Sequence, residues 1–78
     1  MQTTENLQEQ FLKAVRRDRC TVTVFLMNGF QLRGVVTGYD NYAVIVMADG
    51  RQNMIYKHAI STISPAVPVR LGGTDPAL

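Results

Sequence analysis

The sequence lacks the residues that usually provide a small protein with covalent or metal links. Its 78 residues include one cysteine, one histidine and no tryptophan, so neither a disulfide framework nor a cysteine-rich zinc site can form within the chain. The single thiol, Cys20, precedes strand-forming residues, and we interpret it as a packing residue and not a reactive one. We therefore expect no metal and no other cofactor.

Membrane and export signals are also missing from the sequence. No stretch approaches the roughly 18 apolar residues of a membrane span, and residues 1–5 lack the basic start and apolar centre of a secretory signal. The sequence therefore predicts a cytoplasmic protein with no membrane partner.

The small size of the chain limits the core that it can build. A chain of 78 residues forms one domain and buries only about 60% of the surface that its unfolded form exposes. Apolar residues nevertheless make up 46% of the sequence, which is more than so small a domain can hide. Because covalent links are absent, self-association through strand edges or a helix face is the remaining source of stability.

The net charge of +2 is too small for a protein that coats nucleic acid indiscriminately. The distribution of charge is more informative, because half of the eight basic residues lie close together, at Lys13, Arg16, Arg17 and Arg19. In an oligomer such a patch recurs on every subunit, and weak contacts then combine.

Residues 7–17 have the spacing of an amphipathic helix. Apolar side chains recur every three or four positions, at Leu7, Phe11, Ala14 and Val15. Asn6, followed three positions later by Glu9, is typical of a helix N-terminus, and the helix should end near Asp18. Its apolar face is narrow, so we expect the helix to cover a larger apolar surface.

From Thr21 onward the apolar period changes to two, which predicts antiparallel strands. We expect five of them, at residues 21–27, 30–39, 42–48, 52–56 and 60–63. Asn28 and Gly29 predict a type I′ hairpin turn, in which both central residues need positive φ. Gly34 and Gly38 interrupt the long second strand, and glycine inside a strand typically marks a bend or a bulge.

The predicted fold is therefore mainly β with an N-terminal α-helix, and its strands form a strongly bent five-stranded antiparallel small barrel. We expect the domain to span residues 7–65, preceded by an arm at residues 1–6. The stretch from residue 65 to the end contains all three prolines and no apolar period. This composition predicts a disordered C-terminal tail over residues 66–78.

Two polar and aromatic corners carry the functional signal. Lys57 and His58 place a cation beside a ring at a strand end, and Asn41 and Tyr42 place an amide beside another ring. By itself, a Lys-His pair at a strand end is more often a solvated corner. Together with residues 28–30 and 39–42, however, the segment at residues 56–61 resembles the second motif of the bacterial Sm-like family, the Hfq proteins.

The resemblance covers residues 5–65 and both halves of the family's bipartite motif. The first half extends from Val22 through the turn at residues 28–29 to Asp40, and the second half spans residues 54–62. The resemblance implies a Sm-like homohexameric ring, in which the fourth strand of one subunit pairs with the fifth strand of its neighbour. Three residues are expected at this subunit interface: Tyr56, Ile60 and Ser61.

Membership of the family implies an RNA chaperone that binds small regulatory RNAs and messenger RNAs and promotes their pairing. Single-stranded RNA is bound by stacking its bases on aromatic rings and by hydrogen bonds to the base edges. By the resemblance, six residues line the pore on the helix side and hold uridine-rich ends: Gln8, Tyr39, Asn41, Tyr42, Lys57 and His58.

The opposite face binds adenine-rich or other purine-rich RNA in relatives. The resemblance assigns nine residues to it: Phe25, Asn28, Gly29, Phe30, Gln31, Leu32, Arg33, Asn53 and Thr62. Phe25 stands where tyrosine is common in the family, so a hydroxyl contact is lost while the stacking ring is kept. Without the resemblance, residue type would assign Phe25 and Phe30 to the barrel core. For Phe25 alone the alternation argues otherwise, because it lies opposite the face of Val22, Val24 and Leu26.

The resemblance also gives the basic cluster a role. Arg16, Arg17 and Arg19 match the rim that touches RNA and speeds annealing in relatives, and Asp18 interrupts them. Arginine binds phosphate through two parallel hydrogen bonds, which suits an RNA backbone. The simpler interpretation is a solvated helix end whose cations interact favourably with the helix dipole.

Two other classes of function are compatible with some of these residues. A ribonuclease could use His58 as general base, Lys57 as phosphate clamp, and Asp40 or Glu9 as a second acid. The sequence contains no Ser-His-Asp set, metal-ligand cluster, P-loop or dinucleotide-binding turn, so we do not expect an enzyme. A small barrel could instead bind a protein through its strand edges, which would leave the aromatic and basic corners unexplained.

Overall fold

The structure, a computed structural model, describes residues 6–71 as one helix followed by five strands. These elements are α1 (Leu7–Arg17), β1 (Thr21–Leu26), β2 (Gln31–Tyr39), β3 (Ala43–Ala48), β4 (Arg51–Tyr56), a 3₁₀ turn (Lys57–Ala59) and β5 (Ile60–Pro65). Neighbouring strands are antiparallel, in the order β4-β3-β2-β1-β5. The predicted fold class is confirmed. Within one chain, however, the bent sheet is not closed, because β4 and β5 are its two edges.

The helix α1 begins at the predicted capping side chain. Asn6 Oδ1 accepts a hydrogen bond from the backbone N–H of Glu9 at 2.8 Å, which satisfies one of the unpaired donors of the first turn. At the other end, the backbone N–H of Asp18 donates to the carbonyl oxygen of Ala14 at 3.0 Å. Local side-chain chemistry therefore sets the start of the helix.

The buried face of α1 differs from the predicted one. Leu12, Ala14 and Val15 are buried, whereas Leu7, which the spacing assigns to this face, is 69% exposed. Leu7 lies in the first turn, where the helix borders a groove beside β5 instead of the core. The spacing missed Leu12 because the apolar face of a helix that packs on a sheet is wider than a single stripe.

The core is a cluster of mainly branched side chains between α1 and the sheet. Val22 and Val24 of β1 are fully buried, as the alternation in this strand predicts. Strand β3 is an almost continuous apolar run, yet it is not fully covered, because Met47 is 39% exposed. Cys20 is buried in the same cluster, which agrees with a packing role.

The turn at Asn28 and Gly29 is not of the predicted type I′. In the first turn only Gly29 has positive φ, at +95°. Its N–H donates to the carbonyl oxygen of Leu26 at 2.9 Å, and the N–H of Leu26 donates to the carbonyl oxygen of Phe30 at 2.8 Å. The loop between Leu26 and Phe30 therefore has three residues and not two. The type I′ pattern occurs instead at Asp49 and Gly50, whose φ angles are +53° and +75°.

Both glycines of β2 mark irregularities, as predicted, but of different kinds. At Gly34 the β2 backbone approaches β3 so closely that a Cβ atom would fall on the carbonyl oxygen of Met47 and 3.0 Å from the Cα of Ala48. At Gly38 the register with β3 shifts, which is a bulge. A Cβ there would have its nearest neighbour at 3.9 Å, on the side chain of Ile45. Gly34 is therefore required for this close approach of the two strands, whereas Gly38 has room for a side chain.

The first residues of the predicted tail, up to Leu71, contact the domain. The N–H of Ala66 donates to the carbonyl oxygen of Thr21 at 2.8 Å, which extends the ladder between β1 and β5 by one hydrogen bond. Val69 then packs against the core, and Leu71 lines the groove beside β5. Residues 1–5 of the predicted arm and 72–78 of the predicted tail lie outside the described residues.

We predict that Gly34→Ala destabilises the protein strongly, because the new methyl group must displace backbone and not a flexible side chain. Overpacking of this kind costs about 1–3 kcal/mol of unfolding free energy, and the backbone clash places this site at the upper end. The matched control is Gly38→Ala in the same strand, which should change the free energy by less than about 1 kcal/mol. Urea denaturation at one fixed protein concentration measures the unfolding free energy of both variants. Equal losses of free energy would contradict the role assigned to Gly34.

Candidate nucleic-acid interface

Lys57 joins the helix to the corner that follows β2. Its Nζ donates to Gln8 Oε1 at 2.9 Å, and its backbone N–H donates to the carbonyl oxygen of Tyr42 at 2.7 Å. Three of the residues predicted for the helix-side pore, which are far apart in sequence, therefore meet at one place. We call this group, with Asn41 and His58, the helix-side cluster.

The Tyr42 ring stands out from a rigid corner. Its side chain is 75% exposed, and Asn41 beside it is also exposed. The carboxylate of Asp40 holds the corner, because its Oδ1 accepts hydrogen bonds from the backbone N–H groups of Tyr42 and Ala43 at 2.8 and 2.9 Å. An exposed ring on a fixed backbone can stack with a base at little cost in entropy.

The carboxyl group of Asp40 is more acidic than usual. The hydrogen bonds from Tyr42 and Ala43 are the largest cause, and the positive charge of Lys57 adds to them, so the pKa of Asp40 lies below its ordinary value. The aspartate is thus ionised at neutral pH and serves the corner as an acceptor.

The His58 ring is exposed and lies against Tyr56. The two ring centroids are 5.8 Å apart and the planes differ by 8°, which is an offset parallel stack. Tyr56 is itself 52% exposed at the end of β4. A residue predicted for the subunit interface therefore positions a residue predicted for the pore. The sequence signal for this contact is the spacing of two rings, at Tyr56 and His58, across a short turn.

Tyr39 does not join the helix-side cluster to which the resemblance assigns it. Its side chain is half-buried against the core, and the guanidinium carbon of Arg16 lies 5.0 Å from the ring centroid. Tyr39 is the last residue of β2, and α1 packs on this strand. The Tyr39 ring therefore faces the end of the helix. Tyr39 therefore contacts the rim.

A second group of polar and aromatic side chains lies on the sheet face that points away from the core. Phe25 of β1 is paired with Gln31 of β2 on one side and with Thr62 of β5 on the other. Residues paired in this way share a face of the sheet, and Arg33 occupies the next row of the same face through its pairing with Thr23. We call this face, with the loop at residues 28–30, the outer face.

Phe30 is not a core residue. Its side chain is 70% exposed, and its backbone N–H donates to Asn28 Oδ1 at 3.0 Å, which fixes the loop beneath it. Phe25 is half-buried and lies outside the buried cluster. Residue type alone assigns both rings to the core, and the structure contradicts that assignment for Phe30.

Two residues assigned to the outer face lie elsewhere. Leu32 is paired with the fully buried Val24, so its side chain shares the core face and packs against the core. Asn53 lies on β4, at the sheet edge opposite to β5 and Thr62. Its Nδ2 donates to the carbonyl oxygens of Val46 and Arg51 at 3.3 and 3.1 Å. A single chain therefore does not bring Asn53 and Thr62 together.

An apolar groove of about 420 Å³, missed in the sequence analysis, runs beside the edge strand β5. Leu7 and Phe11 of α1 form one wall, and Ile60 and Ile63 of β5 form another. Lys57 of the helix-side cluster also lines the groove. The available sequence signal was Leu7, an apolar residue at the start of α1 in addition to those that cover the core.

Metal and membrane chemistry find no support in the described part of the chain. Residues 6–71 contain no group of three or more His, Cys, Asp or Glu side chains that could hold a metal ion. The same residues contain no helix that is long and apolar enough to cross a membrane.

The bent sheet with its N-terminal helix defines a Sm-like protein. A crystal structure described as that of the pleiotropic translational regulator Hfq aligns with 76% of this chain and 98% of its own length, with a TM-score of 0.75 and 46% sequence identity. The crystal structure of an Hfq protein from Anabaena sp. aligns with 74% of this chain and 93% of its own length, with a TM-score of 0.69 and 29% identity.

Residues 7–70 match the family model described as Hfq protein, and the chain therefore belongs to the Hfq family. The RNA-binding protein Hfq of Anoxybacillus flavithermus is 56% identical over 71 residues, which cover 91% of this chain and 96% of the relative. That of Moorella thermoacetica is 62% identical over 66 residues, covering 85% and 79%. These relatives are named as RNA-binding proteins and not as enzymes, which confirms the prediction of a non-catalytic protein.

The lowered pKa of Asp40 predicts a pH-dependent contribution to stability. A carboxyl whose pKa is lower in the folded state stabilises the fold above its unfolded pKa of about 3.9 and loses that contribution as the pH falls through the folded value. Asp40→Asn keeps an acceptor oxygen but removes the titration. The stability difference between wild type and variant, from urea midpoints, should therefore shrink as the pH falls from about 6 to about 2. If the stabilities of wild type and Asp40→Asn change in parallel with pH, the lowered pKa assigned to Asp40 is contradicted.

Proposed function

We propose that this chain is an RNA chaperone that acts in the cytoplasm as a homohexameric ring and promotes pairing between small regulatory RNAs and messenger RNAs. One observation carries the proposal: a member of the Hfq family displays two separate groups of exposed aromatic and polar side chains. Tyr42 and Phe30 are the exposed rings of these groups, at 75% and 70%. Two platforms allow one protein to hold two RNA segments at once.

The two sheet edges support the ring. Edge strands present unpaired backbone groups that can pair with another chain, and β4 and β5 are both edges here. We propose that β4 of one subunit pairs with β5 of the next, with Tyr56, Ile60 and Ser61 at the contact. A head-to-tail contact of this kind closes when its rotation completes a circle. The pairing also brings Asn53 beside the strand that carries Thr62 in the neighbour.

The apolar groove supports the same contact. It lies beside β5, where a neighbour would dock, and its walls include Leu7, Phe11, Ile60 and Ile63. Covering such a surface removes apolar area from water. The ring thus supplies the burial that the core of a single small chain lacks.

The helix-side cluster is proposed to bind uridine-rich RNA. Tyr42 offers a face for stacking, and Asn41, Gln8 and His58 offer hydrogen-bonding groups for the edges of a small base. Lys57 supplies positive charge for the backbone. Because these residues repeat around a ring, several weak contacts act on one RNA end.

The outer face is proposed to bind adenine-rich or other purine-rich RNA. Phe30 and Phe25 provide rings, and larger bases stack on them with more overlap. Gln31, Arg33 and Thr62 lie on the same face and supply hydrogen bonds. This face points away from the side on which α1 packs, so both platforms can be occupied together.

The rim residues Arg16, Arg17 and Arg19 are proposed to contact phosphate and to speed annealing. All three are exposed at the end of α1. Phosphate contacts position RNA without reading its sequence, and they lower the repulsion between two strands held on one ring.

Native mass spectrometry should show a closed homohexamer at micromolar subunit concentration. The physical reason is the pair of unpaired edges together with the exposed groove, which only a neighbour can satisfy. A stable monomer under these conditions would contradict the ring and, with it, the pore.

The two platforms should fail independently when each is altered. Lys57→Ala should weaken oligouridine binding by about 1.5 to 3 kcal/mol, the range for a hydrogen bond to a charged group, and leave oligoadenine binding nearly unchanged. Phe30→Asp should weaken oligoadenine binding by about 1 to 3 kcal/mol per stacked base and leave oligouridine binding nearly unchanged. Fluorescence anisotropy with both oligomers measures each loss.

The control for Phe30→Asp is Met27→Asp. Met27 lies in the same loop and is 69% exposed, but it has no ring, so the added charge should have a much smaller effect. Circular dichroism verifies that each variant is folded. Equal losses for both RNAs would contradict the two platforms, and no binding of either RNA by the wild type would favour a protein-interaction barrel.

A further inference from the structure

Two neighbouring arginines of the rim have different partners. Arg17 makes two hydrogen bonds to the carboxylate of Asp18, from Nε to Oδ1 at 2.9 Å and from Nη2 to Oδ2 at 3.3 Å. The guanidinium of Arg16 lies instead over the Tyr39 ring. An aromatic face leaves the charge of Arg16 in place, whereas a carboxylate neutralises that of Arg17.

The position of Asp18 is not explained by the stability of the helix. Its backbone closes α1 by donating to the carbonyl oxygen of Ala14, which any residue but proline can do. A negative side chain at the C-terminus of a helix interacts unfavourably with the helix dipole. The Asp18 carboxylate contacts Arg17 through two hydrogen bonds. We therefore look for the role of this carboxylate in its effect on Arg17.

Asp18 occupies the Nε–Nη2 edge of Arg17, one of the two guanidinium edges through which a phosphate can bind with paired hydrogen bonds. Carboxylate and phosphate both offer two oxygens to the paired N–H groups of a guanidinium. The pair is open to water, with 60% of the Arg17 side chain and 48% of the Asp18 side chain exposed. An exposed ion pair is weak, so a phosphate can displace the carboxylate, but it does so in competition.

We propose that Asp18 is a built-in competitor for RNA phosphate at Arg17 and so limits how strongly the rim holds RNA. This inference rests on the proposed function of the rim. The pKa of Asp18 lies below its ordinary value, chiefly because of the hydrogen bond from Arg17, so the competitor is charged at neutral pH. A rim that brings two strands together and then releases the duplex gains from a contact that is easily reversed.

The test measures the annealing of two short complementary RNAs that lack uridine-rich and adenine-rich runs, by stopped-flow fluorescence. Asp18→Asn keeps the size of the side chain and removes the competing charge. It should raise the annealing rate about two- to fourfold at low salt, the range expected for losing one exposed ion pair. The dependence of binding on salt should also steepen, by about 0.7 in the log-log slope for one additional phosphate contact.

Two further comparisons distinguish competition at Arg17 from a simple change in net charge. In Arg17→Ala, the further change Asp18→Asn should produce no increase, because the competed group is gone. Asp49→Asn makes the same change in charge at the β3–β4 turn and should leave the rate unchanged. An increase that persists without Arg17, an equal increase from Asp49→Asn, or no increase from Asp18→Asn would each overturn the inference.

If the proposed RNA-chaperone function is wrong, the same experiments give a different result. In that case the wild-type ring neither accelerates annealing nor binds either oligomer, whatever stands at position 18. If the wild type does accelerate annealing and Arg16→Ala slows it, the rim is active, and the response to Asp18→Asn then decides the present inference alone.

Discussion

The close approach of β2 to β3 at Gly34 is the constraint on which the rest of the structure depends. Because Gly34 has no Cβ atom, the two backbones can approach closely there, and the sheet bends around a small, valine-rich core. The strand order leaves β4 and β5 as the two edges of this sheet. A chain of this size has too little core to leave those edges and the adjoining groove exposed. Assembly through these edges is therefore the physical consequence that we propose for the fold.

The same bend separates the two candidate RNA platforms. On the helix side, Lys57 is joined to Gln8 and to the Tyr42 corner by hydrogen bonds, so residues from three segments form one cluster. On the outer face, Phe25 shares a row with neighbours from β2 and β5, and Phe30 projects from the first hairpin loop. The stack of Tyr56 on His58 links the proposed subunit interface to the helix-side cluster. Dissociation of the proposed hexamer would therefore also disturb that platform.

Periodicity and local chemistry were sufficient to predict the elements and the buried face of β1. They were insufficient where the outcome depends on how elements meet. The Asn28–Gly29 sequence is compatible with turns of two or three residues, and strand register decides between them. Leu32 lies on the core face because of its pairing with Val24. Tyr39 lies at the rim because β2 ends beneath α1, and no motif contains that information. The resemblance indicated the candidate segments, but side-chain contacts are needed to divide them among the proposed pore, rim and outer face.

Hydrogen exchange at the two edge strands tests the central claim, the pairing of β4 with β5 of a neighbouring chain, most directly. In one chain the outward amides of Arg51–Tyr56 and Ile60–Pro65 have no strand partner and should exchange rapidly. In the ring, these amides should be as well protected as those of the central strand β2, and they should lose protection together when dilution dissociates the ring. Rapid exchange of the outward amides in the intact assembly would contradict the account.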